Sequence, residues 1–78
     1  MGIVYLYVGN YITGEIHSAA VCDDEETIAN TFEGFWKDLG CDHVIWEIYN
    51  TAQPMDVREI QFNNRLDRAY HEYMEDVA

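Results

Sequence analysis

Apolar residues cluster in three short segments of the chain with the period of a β-strand. Residues 3–8 read Ile-Val-Tyr-Leu-Tyr-Val, and both alternating sets are apolar, which is typical of a central strand covered on both faces or of one whose tyrosine face is only half covered. Residues 9–14 contain two glycines and an asparagine and predict a turn. Residues 15–22 follow as a second, weaker strand that completes a hairpin, and residues 43–49 predict a third strand.

The segment between the second and third strands has the period of a helix instead. Its apolar positions recur every three or four residues and are Ile28, Phe32, Phe35 and Leu39. Asp23 is the predicted N-cap, with Glu26 three residues later as in a capping box. Gly40 is a typical stop signal, so the sequence predicts a helix over residues 24–39.

The last quarter of the chain allows two interpretations. A continuous helix from residue 55 would expose Val57 and Ile60, which favours a short fourth strand at 57–62 followed by a helix at 65–77, with Asn64 as its N-cap. The predicted fold is α+β, a single domain (1–78) with a small antiparallel sheet and two helices in the order ββαββα. The predicted core includes Phe32, Phe35, Leu39, Val44, Trp46 and Leu66.

The net charge of the chain says more about its binding partners than any sequence motif does. Fifteen acidic residues stand against four basic ones, giving a net charge of −11, and both halves of the chain share the excess. Solubility alone is one explanation; attraction to a basic partner is the other. Because no basic patch exists, direct nucleic-acid binding is not expected, and we expect a basic protein or nucleoprotein complex instead. With neither a signal peptide nor a membrane span visible, we expect a cytoplasmic protein.

Candidate catalytic and metal-binding residues are scattered rather than clustered. His17, His43 and His71 lie far apart in the sequence and lack metal-ligand spacing. Cys22 and Cys41 form no C-x-x-C motif, and whether they pair stays open. We therefore expect a non-enzymatic protein with no catalytic site, no metal and no cofactor.

Two sets of residues are candidates for partner binding. The first is acidic and surrounds the two helices: Asp23, Asp24, Glu25, Glu26, Glu33, Asp38, Asp42, Glu72, Glu75 and Asp76. The second is aromatic and shares one face of the sheet: Tyr5, Tyr7 and Tyr49. Tyrosine is enriched at interfaces, so an open face would suit a partner or a homodimer. The alternative is that a loop or the last helix closes this face.

About half of the chain resembles a known family. The similarity lies in the run Val4-Tyr5-Leu6-Tyr7-Val8 with Asn10-Tyr11 and Gly14, in Asp24-Glu25-Glu26-Thr27-Ile28, and in Trp46-Glu47-Ile48-Tyr49. These segments resemble the N-terminal domain of ArdA-type antirestriction proteins, acidic DNA mimics of mobile elements that occupy the DNA groove of restriction enzymes. In size and acidity the chain also resembles phage anti-CRISPR proteins as a class.

The resemblance implies an acidic inhibitor that blocks the basic nucleic-acid-binding site of a host defence complex, as antirestriction and anti-CRISPR proteins do. The alternative hypothesis is an acidic protein–protein interaction or regulatory module that binds through the tyrosine-rich sheet face.

Overall fold

The structure, a computed structural model, describes residues 2–77 and consists of a three-stranded sheet with one helix on each face. Its elements are β1 (Ile3–Asn10), β2 (Ile16–Cys22), α1 (Glu25–Asp38), β3 (Val44–Asn50) and α2 (Met55–Val77). The strand order is β2-β1-β3, and both pairings are antiparallel. The predicted α+β class, with an antiparallel sheet and two helices, is confirmed. No helix among residues 2–77 is both long and apolar enough to cross a membrane.

The register of the sheet assigns each side chain of β1 to one of the two helices. Leu6 pairs with Ala19 on β2 and with Ile48 on β3, and residues directly opposite each other point to the same face. The Leu6 face packs against α1, whereas the face of Tyr5 and Tyr7 packs against α2. Both faces of β1 are therefore covered, which is the first of the two arrangements that its apolar sets allow.

The first helix has well-defined ends. Asp24, and not the predicted Asp23, is its N-cap, because the Asp24 carboxylate accepts a hydrogen bond from the backbone N–H of Thr27. At the other end Gly40 adopts a φ of +94°, a conformation that favours glycine. The N–H groups of Gly40 and Cys41 donate to the carbonyls of Lys37 and Trp36, which is a Schellman motif.

The predicted fourth strand is wrong, because residues 57–62 belong to one continuous helix from Met55 to Val77. Asn64 consequently lies inside α2 and is not an N-cap. The helix does expose Val57 and Ile60, at 37% and 61%, but the same register buries Phe62 completely. The same register also buries Leu66 and closes the helix over Tyr7 and Tyr49. Each large apolar side chain that is fully buried contributes about 1.5–3 kcal/mol, so these four together outweigh the partial exposure of two aliphatic side chains.

Close approach of α2 to the sheet depends on a glycine in β1. A Cβ atom at Gly9 would lie 2.8 Å from the Phe62 ring and 3.0 Å from a Leu66 methyl, closer than van der Waals contact allows. Gly9 therefore allows the helix to cover this face.

The core has one layer on each side of the sheet, and its membership differs from the prediction in one important residue. Leu39 and Leu66 are buried as predicted, while Phe32, Phe35 and Val44 pack at the margin of the core. Trp46 is 49% exposed, so its assignment to the core is wrong. The reason is that α1 packs mainly over β1 and β2 and covers this side of β3 only in part.

A buried asparagine joins two loops at one end of the sheet. The Asn10 amide nitrogen donates to the carbonyls of Leu39 and Asp42 at 2.9 and 3.2 Å, and its oxygen accepts from the backbone N–H groups of Ile12 and Thr13. These bonds satisfy groups that would otherwise be buried without partners. They fix the hairpin turn against the connection from α1 to β3.

Candidate functional site

The acidic side chains are exposed almost without exception. Thirteen of the fifteen carboxylates are exposed, and the other two, Asp24 and Glu47, are half-buried. Every acidic candidate except Asp24 therefore lies fully on the surface, where a partner can reach it.

The acidic candidates near α1 are spread along the whole helix, and Glu33 lies in its middle, paired with Lys37. Asp23, Asp24, Glu25 and Glu26 lie at its N-terminus, whereas Asp38 lies in its last turn. Fourteen residues of α-helix span about 21 Å. Hence the sequence-adjacent candidates do not form one cluster.

A second acidic group forms where α1 and α2 both end. Asp42 precedes His43, whose ring centroid lies 4.9 Å from that of Tyr73. Glu72 is adjacent to Tyr73 in α2, and Asp76 follows one turn later. The tertiary structure thus brings the carboxylates after α1 to the same end of the molecule as the last turns of α2, where Glu75 also lies.

Asp24 has a structural role that distinguishes it from its acidic neighbours. Hydrogen bonds from the backbone N–H and the hydroxyl of Thr27, each 2.8 Å, lower the pKa of this carboxyl group. Its bond with Cys22 is the main cause that raises the pKa of that thiol, so the thiol stays protonated and poorly nucleophilic. The Asp24 carboxylate therefore caps the helix, whereas the carboxylates of Asp23, Glu25 and Glu26 are exposed.

The few basic side chains do little to offset this negative surface. Lys37 and Arg65 each contact a carboxylate at 3.1 Å, on Glu33 and Glu47 respectively. Arg58 is buried, with its guanidinium 3.7 Å from the centroid of the Tyr5 ring.

The buried arginine is also hydrogen-bonded, to the Tyr7 hydroxyl and the Gln53 carbonyl. Among residues 2–77, only Arg68 is an exposed Lys or Arg side chain without an ion pair. Positive charge is therefore scarce on the surface, beyond what the low count of basic residues already implies.

The tyrosine face is closed. The last helix covers it, as one of the two alternatives predicted, and the prediction of an open face is wrong. Tyr7 and Tyr49 are buried, with ring centroids 5.4 Å apart, and Tyr7 also contacts Phe62 of α2. Burial raises the pKa of Tyr49. Tyr5 lies beneath Arg58, which leaves this face no open aromatic surface for a partner.

An apolar groove on the opposite face is a feature that the sequence analysis missed. It lies between α1 and β3, and we call it the Trp46 groove. Its volume is about 430 Å³, and it is lined by Glu25, Ile28, Ala29, Phe32, Trp46 and Ile48. A signal existed in the sequence: the single stripe of α1 is too narrow to cover the apolar residues of three strands.

The remaining candidate residues for chemistry stay apart in space. His17 bonds with Glu15 at 2.8 Å, and His71 contacts Asp67 at 3.5 Å within α2. Both cysteines are free thiols. Across residues 2–77, no group of three or more His, Cys, Asp or Glu side chains is placed to hold a metal ion. The absence of a catalytic site, a metal and a cofactor stays a prediction.

No protein-family model, no curated protein and no solved structure matches this chain. Its function is therefore inferred from its own surface, which carries carboxylates at both ends of α1 and an apolar groove lined at one side by Glu25.

Proposed function

We propose that this chain is a non-enzymatic acidic inhibitor that occupies the basic nucleic-acid-binding surface of a host defence complex. The observation that carries the proposal is the contrast between thirteen exposed carboxylates and a single exposed, unpaired arginine. A surface so depleted of positive charge repels nucleic acid and attracts the Lys and Arg side chains that bind it.

The placement of the carboxylates supports a role as substitutes for phosphates. The acidic groups at the two ends of α1 are separated by about 21 Å, which corresponds to about six nucleotide steps along one strand of duplex DNA. The molecule is elongated, 44 Å by 25 Å by 16 Å. Carboxylates spread along such a body can contact several basic side chains of one binding groove together.

The resemblance of residues 3–49 to ArdA-type proteins supports the same class of target, a defence complex with a basic groove for nucleic acid. The target itself would be a protein or nucleoprotein complex, with no direct contact to free nucleic acid. A tyrosine-face module is the weaker proposal, because α2 covers that face.

The test is capture of the partner on immobilised protein from host lysate, followed by washing with increasing salt. Exposed charge pairs weaken as salt rises from about 0.05 to 0.5 M, so we expect release over that range. Duplex DNA added at low salt should displace the same partner by competition. A partner retained at high salt and unaffected by nucleic acid would reject phosphate mimicry.

A charge-neutralised variant locates the contact on the surface. D23N/E25Q/E26Q removes three carboxylates from the N-terminal end of α1 and leaves the Asp24 cap intact. Exposed pairs contribute about 0.2–1 kcal/mol each, so the triple change should weaken capture by about 3-fold to 100-fold.

The matched control removes the same charge from α2. D56N/E59Q/D67N changes three exposed carboxylates of that helix and should have a smaller effect. Equal losses in the two variants would mean that diffuse net charge, and not the end of α1, drives capture.

A further inference from the structure

The outer edge of β3 is open. Within residues 2–77 the sheet has three strands, and β3 pairs with β1 alone. Proteins commonly protect such edges with lysine, proline or a bulge, whereas β3 reads Val-Ile-Trp-Glu-Ile-Tyr-Asn. The unpaired N–H and C=O groups of this edge are therefore available to another extended chain.

The Trp46 groove runs beside this open edge. Trp46 and Ile48 are 49% and 36% exposed and point to the same face of β3. The ring of Phe32 meets that of Trp46 at a centroid distance of 6.1 Å and forms the far wall. A strand added at the edge would place every second side chain over this apolar surface.

The other face of β3 has a different chemistry. Glu47 points to this side and contacts Arg65 of α2. Farther along, Glu72 and Asp76 border a hollow of about 280 Å³ beside Ile45. The alternate side chains of an added strand would therefore meet carboxylates.

We propose that an extended segment of a basic partner pairs with β3 as a fourth strand. Its apolar side chains enter the Trp46 groove, and its alternating Lys or Arg side chains face Glu72 and Asp76. The positive charge assigned to the partner rests on the proposed function. The open edge and the Trp46 groove are features of the structure and do not depend on that function.

A second copy of this chain is a poorer occupant than a basic segment. Each copy carries a net charge of −11, so association must overcome strong mutual repulsion. Antiparallel pairing about the middle of β3 would also place Glu47 opposite its own equivalent, and like charges directly opposite each other are destabilising.

The test uses a capped peptide of about nine residues in which Lys alternates with Ile, which matches the typical length of a strand. A block peptide of the same composition, with its Lys residues grouped together, has equal charge but no alternation. A third peptide with N-methylated backbone amides cannot form the strand ladder. In a Trp36→Phe background, Trp46 is the only tryptophan and reports binding by fluorescence.

We expect the alternating peptide to shift Trp46 emission to the blue and to slow amide hydrogen exchange in residues 44–50. The block and N-methylated peptides should bind at least about tenfold more weakly. I48K should weaken binding of the alternating peptide by about tenfold or more, because it places a charge in the groove. The matched control I60K makes the same change at an exposed site on α2 and should leave binding within about twofold.

Equal binding of the alternating and block peptides, or of I48K and wild type, would overturn the fourth strand. So would a wild-type dimer in sedimentation that I48K dissociates, because a second copy would then occupy the groove. The two proposals can also fail separately. If capture of the partner is sensitive to salt and competed by DNA, and I48K captures the partner as well as wild type does, the fourth strand is rejected and the proposed function stands. If the alternating peptide binds specifically but capture of the partner is insensitive to salt, the proposed function is rejected and the fourth strand stands.

Discussion

Replacing Phe62 by alanine should be far more destabilising than the same change at Phe32. Phe62 is 0% exposed and contacts the buried Tyr7 ring, so the substitution should cost about 3–5 kcal/mol. Phe32 is half-buried at the wall of the Trp46 groove, and its loss should cost about half as much.

These losses are large relative to the stability of the protein. A chain of 78 residues is expected to unfold with a free energy of about 4–12 kcal/mol, so F62A can leave a largely unfolded molecule. F62L provides a milder second probe, for which we expect a loss of about 1–1.5 kcal/mol.

Urea titration followed by far-UV circular dichroism measures the free energy of unfolding of each variant. A loss of 1 kcal/mol should lower the melting temperature by about 4–8 °C. The order of the two alanine variants is the decisive result. If F32A costs as much as F62A, then the α2 side contributes no more to the core than the α1 side, and the account of the covered tyrosine face fails.

Two further changes test local features. Cys41 is exposed with a φ of +68°, so C41G should raise the free energy of unfolding by about 1 kcal/mol in urea titration; a loss of stability would show that the left-handed conformation carries no strain. The lowered pKa of Asp24 adds stability that is present above its unfolded pKa and is lost as pH falls through its folded pKa. D24N still caps the helix but should show a shallower loss of stability in acid, and identical acid melting curves for D24N and wild type would contradict this assignment.

The sequence determined the elements whose patterns are local. The short β-branched and aromatic run of β1 and the single apolar stripe of α1 each favour one secondary structure, so those elements and the α+β class could be predicted. The exposure of the carboxylates could also be predicted, because acidic side chains almost never become fully buried unless they are paired.

The tertiary structure decided how the elements cover one another. α2 continues through residues 57–62 because Phe62 has a tyrosine face to bury, a gain that no local period reveals. Arg58 is buried over Tyr5, although a count of charges places it on the surface.

The candidate site was predictable in the same uneven way. The acidic residues follow from composition, but their division between two ends of the molecule does not. Trp46 has the pattern of a core residue, yet it is half-exposed because α1 docks over β1 and β2. Strand periodicity fixes which face a side chain points to; whether a helix covers that face depends on non-local packing, which only the folded chain establishes.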